Sequence, residues 1–186
     1  MNNVTKIIVR AGVIAALYAT LCIAFFFSSF ATATIQFRVS EALTVLPLFF
    51  PEAIIGLWIG CILGNLVSGN VIDIFFGSGA TLIAAALTFL IGMIVRRRRT
   101  LRIILGAIPP VLVNAFLVPM TFTLFIGAPE MYIIQVLWVF IGQAAVLAVL
   151  GVPFAIAVEK RLFRHELRTR RAENTDGENK EYKETK

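Results

Sequence analysis

The chain has 186 residues, of which 59% are hydrophobic and 15% are charged, with a formal net charge of +6. Globular chains are about 45–50% apolar, so this composition excludes an ordinary soluble domain and indicates an integral membrane protein. A chain this short has no room for a soluble catalytic domain as well, and its basic residues flank apolar runs rather than alternating with aromatics, which argues against nucleic-acid binding.

The first apolar run, residues 7–27, is long enough to cross a bilayer and exceeds the ~7–15 apolar residues of a secretion signal. We therefore predict a membrane helix. Small residues recur on it every four positions in two neighbouring lines, which are Ala11, Ala15 and Ala19, and Gly12 and Ala16. Such ladders allow a second helix to approach closely, so they serve either packing inside this chain or docking of a separate subunit.

The next region, residues 39–95, carries only three ionisable side chains and has room for close to three crossings. Pro47 and Pro51 interrupt its first part, so the span that contains Pro47 is predicted to be short. Residues 77–79 are Gly-Ser-Gly, which predicts a turn before the last crossing of this region.

Basic residues cluster near the N-terminus, at residues 96–102 and at residues 160–171. The positive-inside rule places all three clusters in the cytoplasm, which requires four crossings before Arg96 and two after it. The predicted fold is an all-α integral membrane bundle of six transmembrane helices with both termini cytoplasmic. The six spans are residues 7–27, 39–50, 53–69, 78–95, 103–126 and 132–158. The last segment, residues 161–186, is basic and then polar, and we predict a disordered cytoplasmic tail.

Ionisable and amide side chains are costly within the apolar region and normally face a cavity, a partner or a functional site. In the predicted topology most of them gather near the outward-facing ends of the helices. We predict that they line an outward-opening pocket for a small solute. The candidate residues are Arg38, Glu41, Asn65, Asp73, Asn114, Trp138 and Gln143.

Three of these candidates have a purely structural alternative. Arg38 and Glu41 are three residues apart, so on a helix they can pair with each other and simply fasten its end. Asp73 can cap the helix that follows it. Trp138 can belong to the belt of aromatic side chains at the membrane surface.

Motifs for enzyme chemistry are missing from the sequence, which contains no GxxxxGKS/T, HExxH or GxSxG pattern. Cys22 and Cys61 stand alone in apolar runs, which argues against a redox or zinc site. From these absences together we predict no catalytic residue, no metal site and no cofactor. A membrane chain with a pocket but no ATP site suggests a substrate-binding subunit driven by separate motor subunits. A stand-alone secondary carrier is the alternative.

Two blocks carry a resemblance to a known family: residues 36–65, QFRVSEALTVLPLFFPEAIIGLWIGCILGN, and residues 73–85, DIFFGSGATLIAA. Together with PPVLVN at 109–114 and LGVP at 150–153, they resemble the QueT family over nearly all of the membrane part. The resemblance implies the substrate-binding S component of an energy-coupling factor (ECF) importer, which takes up queuosine precursors through the bacterial cytoplasmic membrane.

The resemblance also implies how such a chain works. In the family the small-residue face of the first helix packs on a transmembrane coupling subunit, and two ATPase subunits drive toppling of the S component. A deazaguanine-type base would be bound by a carboxylate, Glu41 or Asp73, that accepts its adjacent N–H and amino donors, with Arg38 as a further contact. Asn65, Asn114 and Gln143 would bind the remaining polar edges of the base. The sequence departs from the family at Gln143, where glutamate is common, and an S component for another vitamin-like molecule is the alternative.

Overall fold

A computed structural model describes residues 2–29, 38–68, 71–96, 98–126 and 131–164. All regular secondary structure in these ranges is helical, as predicted. The helices are α1 (Asn3–Ser29), a 3₁₀ helix (Val39–Leu48), α2 (Ala53–Ser68), α3 (Ser78–Ile94), α4 (Arg99–Gly106), α5 (Ile108–Ile126) and α6 (Tyr132–Val146). One π-helical segment, Asp73–Gly77, leads into α3, and a second, Leu147–Gly151, follows α6, after which an α-helix continues to residue 164.

Four helical stretches have the length and apolar composition to cross a membrane, which makes the chain a multi-pass membrane protein. They are Asn3–Phe25, Asp73–Ile94, Arg99–Thr121 and Tyr132–Arg164. Two shorter apolar helices, Val39–Leu48 and Ala53–Val67, lie where the second and third spans are predicted. The count of six crossings and the cytoplasmic placement of the termini stay predictions. Most of the predicted tail, residues 165–186, lies outside the described residues.

The 3₁₀ helix Val39–Leu48 is the centre of the bundle, and every residue from Ser40 to Leu48 is buried. It packs against α1, α2, α3, α4 and α6. A 3₁₀ helix rises ~2.0 Å per residue against ~1.5 Å for an α-helix, so ten residues extend ~20 Å instead of ~15 Å. The tighter winding therefore lets a short apolar segment reach farther through the bundle than its length predicts.

The small-residue line Ala11, Ala15 and Ala19 is used inside the chain, where α1 packs closely on α2. Ala15 and Ala19 are buried, and a Cβ placed at Gly60 of α2 would lie 2.7 Å from the Ala15 carbonyl oxygen. Ala15 and Ala19 thus serve packing inside the chain, and docking of a partner on this line stays a prediction. The second line remains on the surface, because Gly12 and Ala16 are exposed and nothing lies within 4 Å of a Cβ placed at Gly12.

The turn predicted at residues 77–79 does not occur, because the helix already begins by residue 71 and passes through Asp73–Gly77 into α3. Side chains bind backbone carbonyls in this π-helical segment: Asn65 Nδ2 donates to the carbonyl oxygen of Asp73 at 2.8 Å, and Ser78 Oγ donates to that of Ile74. Two helical residues precede Asp73, so it lies inside this helix rather than at its first residue.

Candidate functional site

The carboxylate of Glu41 is the centre of a buried polar cluster in the middle of the bundle. Glu41 is 0% exposed and lies in the first turn of the 3₁₀ helix. Tyr18 Oη on α1 donates a hydrogen bond to its Oε1 at 2.5 Å. Asn114 Nδ2 on α5 and Gln143 Nε2 on α6 donate to its Oε2 at 3.1 and 3.3 Å. Three helices thus place one polar side chain each on a single carboxylate.

The donors that surround Glu41 are all uncharged. A carboxylate in a low-dielectric interior is costly unless hydrogen bonds satisfy it, and bonds to a charged acceptor are about twice as strong as neutral ones. The carboxylate offers about four acceptor positions, of which these three bonds use three. Asn114 Oδ1 is buried and accepts no hydrogen bond in the described part of the chain. The cluster therefore keeps hydrogen-bonding capacity for a further polar group.

The depth of this cluster follows from the helix positions. Tyr18 lies eleven residues before Ser29, the end of α1, which corresponds to ~16 Å of helix. Asn114 lies twelve residues before Ile126, the end of α5, which corresponds to ~18 Å. In the candidate spans Asn3–Phe25 and Arg99–Thr121, Tyr18 and Asn114 each lie seven residues, or ~10 Å, before the end of the span. The Glu41 carboxylate therefore lies beside the apolar length of these spans, where ionisable groups are rare and usually functional.

A second polar group lies nearer the end of the bundle, where the 3₁₀ helix and the π-helical segment begin. Arg38 Nη2 pairs with Asp73 Oδ2 at 3.5 Å, and Asn65 holds the backbone of Asp73 through the bond described above. The predicted pairing of Arg38 with Glu41 is therefore wrong as a direct ion pair. Arg38 lies just before the first turn of the 3₁₀ helix. Its side chain extends to the π-helical segment Asp73–Gly77 rather than along its own helix.

Two of the other predicted residues, Asn114 and Gln143, contact Glu41. Three more, Arg38, Asn65 and Asp73, form the second group. Trp138 belongs to neither group. Trp138 is 40% exposed on α6. Five residues separate it from Gln143, which at ~100° per residue places the two side chains ~140° apart around the helix. Trp138 therefore lies on the outer face of α6, and its alternative as an aromatic of the membrane surface stays a prediction.

Tyr18 is the site residue that sequence reasoning missed. A single tyrosine within an apolar span is typical of packing or of the membrane interface, so its chemistry alone gives no signal. Its spacing does give one, because Tyr18 follows Ile14 by four residues and lies on the same buried face of α1. In the described residues no group of three or more His, Cys, Asp and Glu side chains is arranged to hold a metal ion.

Comparison with known proteins gives a consistent result. A family model described as QueT transporter matches residues 8–160. A curated protein of Lactococcus lactis subsp. cremoris, named queuosine precursor transporter QueT, is 36% identical over 84 residues, which cover 45% of this chain and 50% of that protein. The match thus spans only half of the relative's length. No solved structure matches the chain.

Proposed function

This chain belongs to the QueT transporter family, and on that premise we propose that it captures a queuosine precursor of the deazaguanine type at the Glu41 cluster. The family is one of transporters rather than enzymes. The observation that carries the proposal is the Glu41 carboxylate, which is fully buried in the bundle and, among the residues that the structure describes, is bound by uncharged donors from three helices. A carboxylate without a function would not normally be kept at such a position.

The hydrogen-bonding pattern of a deazaguanine supports this assignment. The pyrimidine edge of such a base presents a ring N–H beside an amino group, and a carboxylate accepts both in a bidentate pair. The Gln143 bond to Glu41 is the longest of the three at 3.3 Å, so this amide moves away most easily when the base arrives. Asn114 Oδ1 then accepts from the base, and the released Gln143 amide donates to its carbonyl.

Glu41 is the better candidate than Asp73 for this role. Asp73 pairs with Arg38, and that pair lies at the end of the bundle rather than within it. In the topology that the positive-inside rule predicts, this end faces the outside of the cell. The pair then forms the outer wall of the pocket, next to the route by which a base would enter.

The second part of the proposal concerns energy. The chain is the S component of an ECF importer in the bacterial cell membrane, and it works with a transmembrane coupling subunit and two ATPases that topple it in the bilayer. Gly12 and Ala16 support this part, because they leave a strip of α1 exposed on which another helix can pack closely.

A binding panel tests the substrate. The purified chain is titrated with deazapurines, guanine, thiamine, biotin and riboflavin while its thermal unfolding is measured. We expect a deazaguanine to raise the Tm at concentrations where the vitamins have no effect. Stabilisation by one of the vitamins alone would show that the chain is an S component for another substrate.

Reconstitution tests the coupling. We expect uptake into vesicles to require the coupling subunit and the ATPases, and Gly12→Leu with Ala16→Leu to abolish co-purification with them while ligand binding is kept. Ala145→Leu with Ala157→Leu, which enlarges two exposed alanines of the last helix, is the matched control and should assemble normally. Uptake by the chain alone, driven by a proton gradient, would favour a stand-alone carrier.

A further inference from the structure

A second feature lies at the opposite end of the bundle from Arg38 and Asp73. It is a cavity of about 680 Å³ that contains the C-terminal end of the 3₁₀ helix and the start of α4. Part of its wall is apolar, with Leu48, Phe49 and Phe163 among the lining residues. Three arginines, Arg96, Arg99 and Arg102, line the rest. Such a combination of apolar and cationic surface differs from the neutral polar surroundings of Glu41.

The arginines of this cavity exceed its acids. Glu159 is the acidic residue among the lining side chains, and Arg102 Nη2 pairs with it at 2.8 Å. The guanidinium groups of Arg102 and Arg99 lie over the rings of Phe49 and Phe163, at 5.1 and 4.2 Å from the ring centroids. These contacts hold both guanidinium groups against the apolar wall but do not neutralise them. With three arginines and one glutamate, the lining of the cavity keeps a net positive charge.

One donor in the cavity wall is unsatisfied. Arg102 Nε is buried and has no acceptor in the described part of the chain. A buried donor on a charged group is normally bonded, so its position calls for an anionic oxygen beside it. Since Glu159 already bonds the Nη2 of the same guanidinium, a phosphate oxygen at Nε would complete the hydrogen bonding of Arg102.

The cavity also continues into the membrane-facing surface. Met93, Leu162 and Phe163 line it and are 47%, 40% and 40% exposed. In a multi-pass protein such exposed apolar side chains near helix ends lie against acyl chains. A ligand that fills the cavity therefore has an anionic part at the arginines and an apolar part along this surface.

We propose that this cavity binds an anionic phospholipid of the surrounding bilayer. The phosphate lies against Arg99 and Arg102, and an acyl chain follows Met93 and Leu162 outward. Basic pockets between transmembrane helices are suited to anionic lipid headgroups, because the arginines supply charge-assisted bonds and the apolar wall accepts the chain. The site is separate from the Glu41 cluster, so the proposal does not depend on the substrate.

The test uses the full chain, purified in detergent and delipidated. Phosphatidylglycerol, phosphatidylcholine and soluble glycerol 3-phosphate are added separately, with thermal unfolding and native mass spectrometry as the measurements. We expect phosphatidylglycerol alone to raise the Tm and to stay bound. We expect Arg99→Gln and Arg102→Gln each to reduce its retention about tenfold, as the loss of one charge-assisted bond implies.

Arg98→Gln is the matched control, because it removes one charge from the same segment but does not line the cavity. It should retain phosphatidylglycerol like the unaltered chain. If Arg102→Gln fails to fold, the exposed Arg99 still decides the question. Equal binding of phosphatidylcholine, an equal effect of glycerol 3-phosphate, or unchanged lipid binding in Arg99→Gln would each overturn the proposal. Unchanged lipid binding together with lost assembly would make the cavity a protein interface instead.

Discussion

The cavity end of the helical bundle and the Glu41 cluster in its middle use charged side chains in different ways. At the end that carries the arginine-lined cavity, two acids of the described residues are each bound by an arginine: Glu52 by Arg10 at 3.0 Å, and Glu159 by Arg102 at 2.8 Å. Glu41, on the other side of the 3₁₀ helix, is bound by a phenol and two amides. An ion pair cancels charge and fastens helices together, whereas a carboxylate held by neutral donors keeps its charge for a ligand.

One element joins the two ends. The 3₁₀ helix begins beside Arg38, carries Glu41 in its first turn, and ends where Leu48 lies against Gly92 and Gly106. A Cβ placed at Gly92 would lie 3.2 Å from the Leu48 Cα, so the backbone at this end of the helix packs closely on α3. Packing at the Leu48 end therefore anchors the helix that carries Glu41.

The largest effect in this comparison is expected from Glu41→Gln. The substitution keeps the size of the side chain but removes the charge and replaces one acceptor with a donor, so both bonds to the base are lost or weakened. We expect affinity for the ligand to fall about 100-fold or more, since each charge-assisted bond contributes ~1.5–3 kcal/mol. Isothermal titration calorimetry measures this change.

Glu52→Gln is the control for that substitution. It makes the same chemical change in the ion pair of Glu52 with Arg10, and we expect it to leave ligand affinity unchanged. If Glu52→Gln weakens binding as much as Glu41→Gln does, the loss reflects general damage to the bundle, and Glu41 is not the recognition group.

The next effect concerns the packing that positions Tyr18. A Cβ placed at Gly60 would lie 2.7 Å from the Ala15 carbonyl oxygen and 2.8 Å from Tyr18 Cβ. Backbone cannot move aside as a flexible side chain does, so Gly60→Ala should push α1 away from α2 at a cost of about 1–3 kcal/mol. We expect a lower Tm and, because Tyr18 moves from Glu41, weaker ligand binding.

Gly79→Ala is the matched control for Gly60→Ala. It lies in α3, where a Cβ would have no heavy atom within 4 Å, so alanine should leave the protein as stable or slightly more stable. Equal destabilisation by the two substitutions would mean that close approach of α1 and α2 is not what positions Tyr18.

Some of this arrangement was predictable from the sequence. Charged and amide residues in apolar runs are rare enough that Glu41, Asn114 and Gln143 were all among the seven candidates, and the structure brings these three together. The pairing of Arg38 with Asp73 was not predictable, because it joins elements 35 residues apart. The 3₁₀ winding was missed because Pro47 interrupts an α-helical pattern without indicating which helix replaces it.

The alanine line on α1 shows where more could have been predicted. The sequence contains a complementary ladder, Gly56, Gly60 and Gly64, at the same spacing of four, and the structure packs one ladder against the other. Two matching ladders indicate an internal helix pair more strongly than either ladder alone. Gly12 and Ala16, in contrast, are exposed on α1.

The smallest effect is expected when both charges of a pair are replaced together. In Arg10→Gln with Glu52→Gln the two amides can still bond each other, and the Arg10 side chain is 55% exposed, so stability should change by ~1 kcal/mol or less and affinity should not change.

Arg38→Gln with Asp73→Asn makes the same change at the outer wall of the proposed pocket. There we expect affinity to fall about tenfold, because one charge-assisted contact is lost. Calorimetry measures ligand affinity in both double variants. Equal affinities would show that the pair Arg38–Asp73 only fastens helices, as the pair Arg10–Glu52 does.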